Sequence, residues 1–118
     1  MVLDKIVMST EELKNFIISI LDTHKANNIS ILDISNKSIL AKYMIIASGE
    51  STSHVKSLAN NIRKKIKPYK KLSIEGLQDG NWIVISLQNI ITHIFRPDVR
   101  EYYNLDELWN NVISSTEL

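Results

Sequence analysis

The sequence predicts an α/β fold: one domain, with a mixed sheet of about five strands and flanking helices. Two segments, 9–26 and 52–67, space their apolar residues at the helical period. The runs between and after them are short and dense in Ile, Val, Trp and Phe, the composition of strands. At 118 residues the chain has the length of one domain with a real core.

Ser9-Thr10-Glu11-Glu12 opens the first helix, with Ser9 and Glu12 at capping-box spacing. Leu13, Phe16, Ile17, Ile20 and Leu21 then form one apolar stripe. The helix is expected to end at about Ala26, because Asn27-Asn28 favours a turn. Ile29–Ile34 reads as a strand, Ser35–Ser38 as a turn, and Tyr43–Ala47 as a second strand interrupted by Ser48-Gly49-Glu50-Ser51. A second helix from Thr52 buries Val55, Leu58, Ala59, Ile62 and Ile66. It leaves His54, Lys56, Asn60, Asn61, Arg63 and Lys64 largely outside and stops at Pro68. Leu72–Glu75 is a short strand and Gly76–Gly80 a turn region.

Two apolar runs follow, Trp82–Leu87 and Ile90–Arg96, separated only by Gln88-Asn89, so they read as a β-hairpin in which Asn89 tolerates positive φ. That turn sets the register. Leu87 faces Ile90, Ile85 faces Thr92 and Ile83 faces Ile94, an almost wholly aliphatic side that looks like core. Ser86 faces Ile91, Val84 faces His93 and Trp82 faces Phe95 on the other side. Aromatic area with polar handles has the composition of a contact surface. It equally fits a second core layer under a helix, with His93 buried and satisfied. Pro97 opens a short helix at its first turn. Asn104-Leu105-Asp106 restarts a terminal helical segment carrying Leu108 and Trp109. No linker or repeat divides the chain, so residues 1–118 read as one domain with its core over about 9–110.

A hydrophobic fraction of 44% and a charged fraction of 23% are ordinary for a globular protein. Cysteine is absent, which excludes disulfides, thiolate chemistry and Cys-ligated zinc. No apolar run approaches the ~18–20 residues of a membrane helix. The start, MVLDKIVMSTEEL, lacks a secretory pattern, so the cytoplasm is expected. Net charge is +1 but unevenly spread. From Ser51 to Ile74 there are seven cations (Lys56, Arg63, Lys64, Lys65, Lys67, Lys70, Lys71) and no acid. Such a run either is a solvated helix face or lays Lys56, Arg63, Lys64 and Lys67 along a phosphate backbone. No aromatic is interleaved among these four cations, so base stacking there is not expected.

Ser48-Gly49 between strand and helix has the form of a phosphate-holding loop. Nucleotide transfer also needs paired carboxylates for metal ions, and Glu75, Asp79 and Asp98 stand isolated. No Walker-type motif appears, and the chain has only three glycines. His24, His54 and His93 lie on three elements without carboxylates at ligand spacing. No serine sits in a nucleophile elbow. The residues therefore point to no catalytic group, metal or cofactor. A nucleotide-binding or nucleotidyltransferase-like enzyme using Ser48-Gly49 stands as the alternative.

Three segments together resemble the ribosomal silencing factor (iojap-like) family. They are Ala41–Ser51 with His54-Val55, then Glu75-Gly76-Leu77 with Trp82, then His93–Pro97 with Arg100–Leu105 and Leu108-Trp109. The match covers roughly residues 10–110, in order and spacing. The resemblance implies a nucleotidyltransferase-like mixed sheet without catalytic acids, and a non-enzymatic protein that docks on the large ribosomal subunit. It implies large-subunit protein fourteen as partner, a block on small-subunit joining, lowered translation when nutrients are scarce, and a homodimer off the ribosome. Ribosomal RNA contact through the basic helix would be an accessory. Where the family usually reads an acid and then Gly-Asp, this chain has uncharged Ser86, Gln88 and Asn89. Exposed pairs of that kind contribute only ~0–1 kcal/mol each, so a changed salt dependence is expected. The candidate docking residues are Trp82, Phe95, Tyr102 and Tyr103 as aromatic anchors, Arg96 and Arg100 as charged partners, and His93 as an orienting hydrogen bonder.

Overall fold

The computed structural model describes residues 8–114; residues 1–7, part of the start read above for targeting signals, and 115–118 lie outside the described residues. Helix α1 (Thr10–Thr23) is opened by the expected capping box. Ser9 Oγ accepts from the Glu12 amide at 3.0 Å, and Glu12 Oε1 accepts from the Ser9 amide at 2.9 Å. The helix ends three residues before the expected Ala26. Lys25 takes a positive φ of 67° just beyond it and reverses the chain. Asn27-Asn28 is therefore the start of β1 (Asn27–Asp33), not a turn, with a register irregularity between Asn27 and Ser30 and a φ of 50° at Asn28.

The remaining elements are β2 (Tyr43–Ser48), α2 (Thr52–Ile66), β3 (Ser73–Glu75), β4 (Trp82–Leu87), β5 (Ile90–Phe95), α3 (Pro97–Tyr103) and α4 (Leu105–Ser114). The five strands form one sheet in the order β1-β2-β5-β4-β3. β2 and β5 run parallel and the other pairs antiparallel, so the expected mixed α/β domain is the observed one. β2 is covered on both sides and buried at every position, which is why it reads as a continuous apolar run.

The hairpin has the register read from the sequence, from Leu87↔Ile90 at the turn to Trp82↔Phe95 at the open end. Its positive φ falls on Gln88, at 49°, rather than on Asn89. The aliphatic side packs under α1 and α2: Ile83, Ile85, Ile94, Ile45 and Ala47 meet Leu13, Ile17, Leu58 and Ile62, all essentially solvent-free. Each such side chain stabilises by about 1.5–3 kcal/mol relative to exposure, so this layer carries the fold. A hydrogen bond from the Tyr43 hydroxyl to Glu11 ties α1 to the start of β2.

The opposite face is covered only in part. Leu32, Ile34, Met44, Ile46 and Phe95 are buried there, with Leu105, Trp109 and Ile113 of α4 packed against them. No residue of α3 or α4 is itself buried. These helices lie over the β1–β2–β5 part of the sheet, and the β4 side stays open.

Candidate functional site

The open part of the sheet is built by the alternation of β4 and β5. Trp82 and Val84 are half-buried and Ser86 is exposed on β4; opposite them Ile91 is half-buried on β5. The turn before β4 fixes Trp82. Gly76 has a φ of +86°, and a Cβ there would stand 2.2 Å from the Trp82 carbonyl oxygen, so only glycine lets this turn close.

Trp82 is the centre of an aromatic group that runs from core to solvent. It stacks on its register partner Phe95 at 4.8 Å and meets Tyr103 at 4.8 Å in a tilted contact. Tyr103 in turn meets Tyr102 edge-on at 5.0 Å. Phe95 is fully buried, while Tyr103 is 51% and Tyr102 81% exposed. Ring pairs at these separations contribute beyond their buried area, so the exposed tyrosines stand on a rigid base. Asn104, with φ 50° and ψ 51°, ends α3 directly after them and fixes their direction.

His93 is nearly buried between these rings, and its Nδ1 accepts from Trp82 Nε1–H at 3.0 Å. That bond requires the neutral tautomer with the proton on Nε2. Burial pushes the His93 pKa down to about 4. The imidazole orients Trp82 from inside the fold and is not itself open to a partner.

Besides His93, two more expected contact residues are used inside the fold. Phe95 is a core residue, not an accessible anchor, because Trp82 stacks over it and the α4 layer packs beside it. Arg100 is not available as an external charged partner either. Its guanidinium makes two bonds to Asp106 (Nε to Oδ2 at 3.0 Å, Nη2 to Oδ1 at 2.8 Å). It also donates to Asn28 O at 2.7 Å, Ser48 Oγ at 2.9 Å and Ser30 Oγ at 3.1 Å. The Arg100 hydrogen bonds hold the Asp106 carboxyl below its ordinary range. Asp106, Ser30 and Ser48 were not legible as its partners: they lie 6, 70 and 52 positions away. Arg96 is accessible, its side chain 38% exposed, and pairs with Asp98 at 3.0 Å and Asn81 Oδ1 at 3.1 Å. Ser86, Gln88 and Asn89 are exposed.

The Ser48-Gly49 loop is internally satisfied. Besides Ser48 on Arg100, the Gly49 amide donates to Phe95 O at 2.9 Å and the Glu50 amide to His54 Nδ1 at 2.9 Å. His54 Nε2 then donates to His24 O at 2.9 Å. His54 is thus a partly buried brace between this loop and the end of α1 rather than an outward-facing residue. Gly49 fits tightly under α2, since a Cβ would stand 2.9 Å from the Val55 amide nitrogen. Among the described residues no group of three or more His, Asp or Glu side chains is placed to hold a metal ion. The basic residues Lys56, Arg63, Lys64 and Lys67 lie on or beside α2, on the other side of the sheet from Trp82.

A family model described as "Ribosomal silencing factor during starvation" matches residues 7–118. The chain belongs to the ribosomal silencing factor family. It is 37% identical to the ribosomal silencing factor of Zymomonas mobilis, covering 84% of this chain and 76% of that one. The factor of Chromobacterium violaceum is 33% identical, over 86% of this chain and 85% of its own. A mouse protein named "Mitochondrial assembly of ribosomal large subunit protein 1" is 28% identical over 80% of this chain and 44% of its own length. The fold agrees: a crystal structure of a Chromobacterium violaceum protein superposes with a TM-score of 0.84, at 32% identity, covering 87% of this chain and 88% of that one. No described helix is long and apolar enough to cross a membrane.

Proposed function

We propose that this ribosomal silencing factor acts in the cytoplasm by docking on the large ribosomal subunit through the open β4–β5 face. In this reading large-subunit protein fourteen is the partner. The docked protein blocks joining of the small subunit and lowers translation under nutrient limitation. The observation that carries it is the aromatic group Trp82–Tyr103–Tyr102, half-buried at Trp82 and exposed at the two tyrosines, held on a buried base and flanked by Arg96. Trp, Tyr and Arg dominate interface hot spots, and rigid rings lose little entropy on binding. Family membership supports the ribosome as partner. The mouse relative's name supports the large subunit.

The protein acts without catalysis, and the Ser48-Gly49 loop braces α2. Ribosomal RNA contact through Lys56, Arg63, Lys64 and Lys67 is an accessory, and a homodimer forms off the ribosome.

The test is co-sedimentation with isolated large subunits, small subunits and assembled ribosomes. Selective pelleting with free large subunits is expected, with fewer assembled particles when small subunits are added. Pelleting with none of them, or equally with all, overturns the reading. Saturable binding of a nucleoside triphosphate with a divalent metal would favour the enzymatic alternative.

A further inference from the structure

We infer that the outer face of α2 binds the sugar–phosphate backbone of double-stranded RNA. This deepens the accessory RNA contact proposed above and rests on that reading. The first observation is electrostatic. Seven cations stand between Ser51 and Ile74 with no acid among them, although the chain has 13 acids. Among the described residues the ion pairs involve Lys14, Lys42, Arg96 and Arg100, and none of those seven cations. A row of unpaired cations repels itself, and a polyanion relieves that repulsion.

The second observation is what lies between the cations. Ser53, Lys56, Ser57, Asn60, Asn61 and Lys64 together make one open, shallow surface on the outer face of α2. Helical spacing puts Ser53, Ser57, Asn60 and Lys64 in one line, opposite buried Val55, Leu58, Ala59, Ile62 and Ile66. Lys56 and Lys67 stand about 16 Å apart along the axis, a reach of several phosphates. Arg63 Nη2 is steadied on Asn60 Oδ1 at 2.8 Å, and Asn61 Nδ2 donates to Ser57 O at 2.8 Å. Among the described residues the Asn60 amide N–H groups and the Asn61 carbonyl oxygen have no partner and can meet a ligand.

Hydroxyls and side-chain amides both donate and accept, as the ribose 2′-hydroxyl does. Interleaved with cations, they fit the phosphates and 2′-hydroxyls of an RNA duplex. The face carries no aromatic ring, so unstacked bases have nothing to stack on. α2 packs on the sheet side opposite Trp82, so RNA and a protein partner can be held at once.

The test is fluorescence anisotropy of the full chain with a labelled RNA hairpin, the same hairpin in DNA, and polyglutamate as an acidic polypeptide. RNA affinity is expected to fall about 100-fold between about 50 and 200 mM salt, as for about four phosphate contacts. DNA should bind more weakly. The double variant Lys56→Gln/Lys64→Gln should lose roughly tenfold or more in RNA affinity, and Lys56→Arg/Lys64→Arg should keep it. No RNA binding at low salt, equal affinity for DNA or polyglutamate, or an unaffected Gln variant overturns the inference. Naked RNA contains no ribosomal protein, so failure here leaves the β4–β5 docking reading standing. Loss of large-subunit pelleting with RNA binding intact strikes that reading alone.

Discussion

The indole N–H of Trp82 donates to Nδ1 of His93 at 3.0 Å, linking neighbouring strands on the open face of the sheet. The bond holds an aromatic anchor in place with an acceptor that must stay neutral, and this gives the face a pH dependence.

In the fold, burial lowers the His93 pKa from 6.5 to about 4. Above pH 6.5 both folded and unfolded chains hold it neutral, and its full contribution is present. As pH falls below 6.5 the unfolded chain takes up a proton that the folded chain refuses until about 4. Stability therefore declines through this window, by up to about 3 kcal/mol. His93→Gln keeps an acceptor for Trp82 but does not titrate. Urea unfolding at a series of pH values should show a flatter profile for this variant, and parallel profiles would mean His93 does not contribute the slope.

Phe95 and Tyr102 stand at the two ends of one aromatic group and should respond oppositely. Phe95→Ala empties a core position and should destabilise by about 3–5 kcal/mol. Tyr102→Ala should stay within about 0.5 kcal/mol of the parent in stability. On the docking reading it should weaken large-subunit binding by about 2 kcal/mol, near 30-fold. Parent-like pelleting of a folded Tyr102→Ala protein would remove this residue from the docking surface.

Arg100 joins α3 to α4 and to the ends of β1 and β2. Its pair with Asp106 is only partly screened, with side chains 13% and 26% exposed. Arg100→Ala should cost about 2–3 kcal/mol, between the ranges for exposed and buried pairs. Arg100→Lys should recover little, because an ammonium lacks the planar fork. Limited proteolysis should cut within 105–114 faster in both variants. Unchanged melting and cleavage would show that packing alone holds α4.

Thr92 faces the aliphatic layer, 1% exposed, and its hydroxyl has no hydrogen-bond partner among the described residues. Thr92→Val should stabilise by about 1 kcal/mol, a rise of about 4 °C in Tm by calorimetry. A lower Tm would show that the hydroxyl is satisfied.

The hairpin register, the buried stripes of α1 and α2, the Ser9 capping box and the Pro97 start of α3 all follow from the sequence alone. Each is a local rule: a one-residue slip in a strand turns every side chain to the wrong side, and a cap is satisfied within one turn. The sequence also brought out Trp82, His93, Tyr102 and Tyr103, because aromatic residues with polar tips stand out on an alternating strand and a short helix. Which of them reach solvent depends on how the helices pack over the sheet. Phe95 and Trp82 look alike in the strand pattern, yet one is covered and the other forms the open surface, because α4 returns over only half of the sheet. Arg100 reads as a surface cation in the sequence, yet its partners Ser48 and Asn28 are 52 and 72 positions away. Periodicity reports the face a side chain takes on its own element, and coverage of that face depends on contacts between elements far apart in the chain.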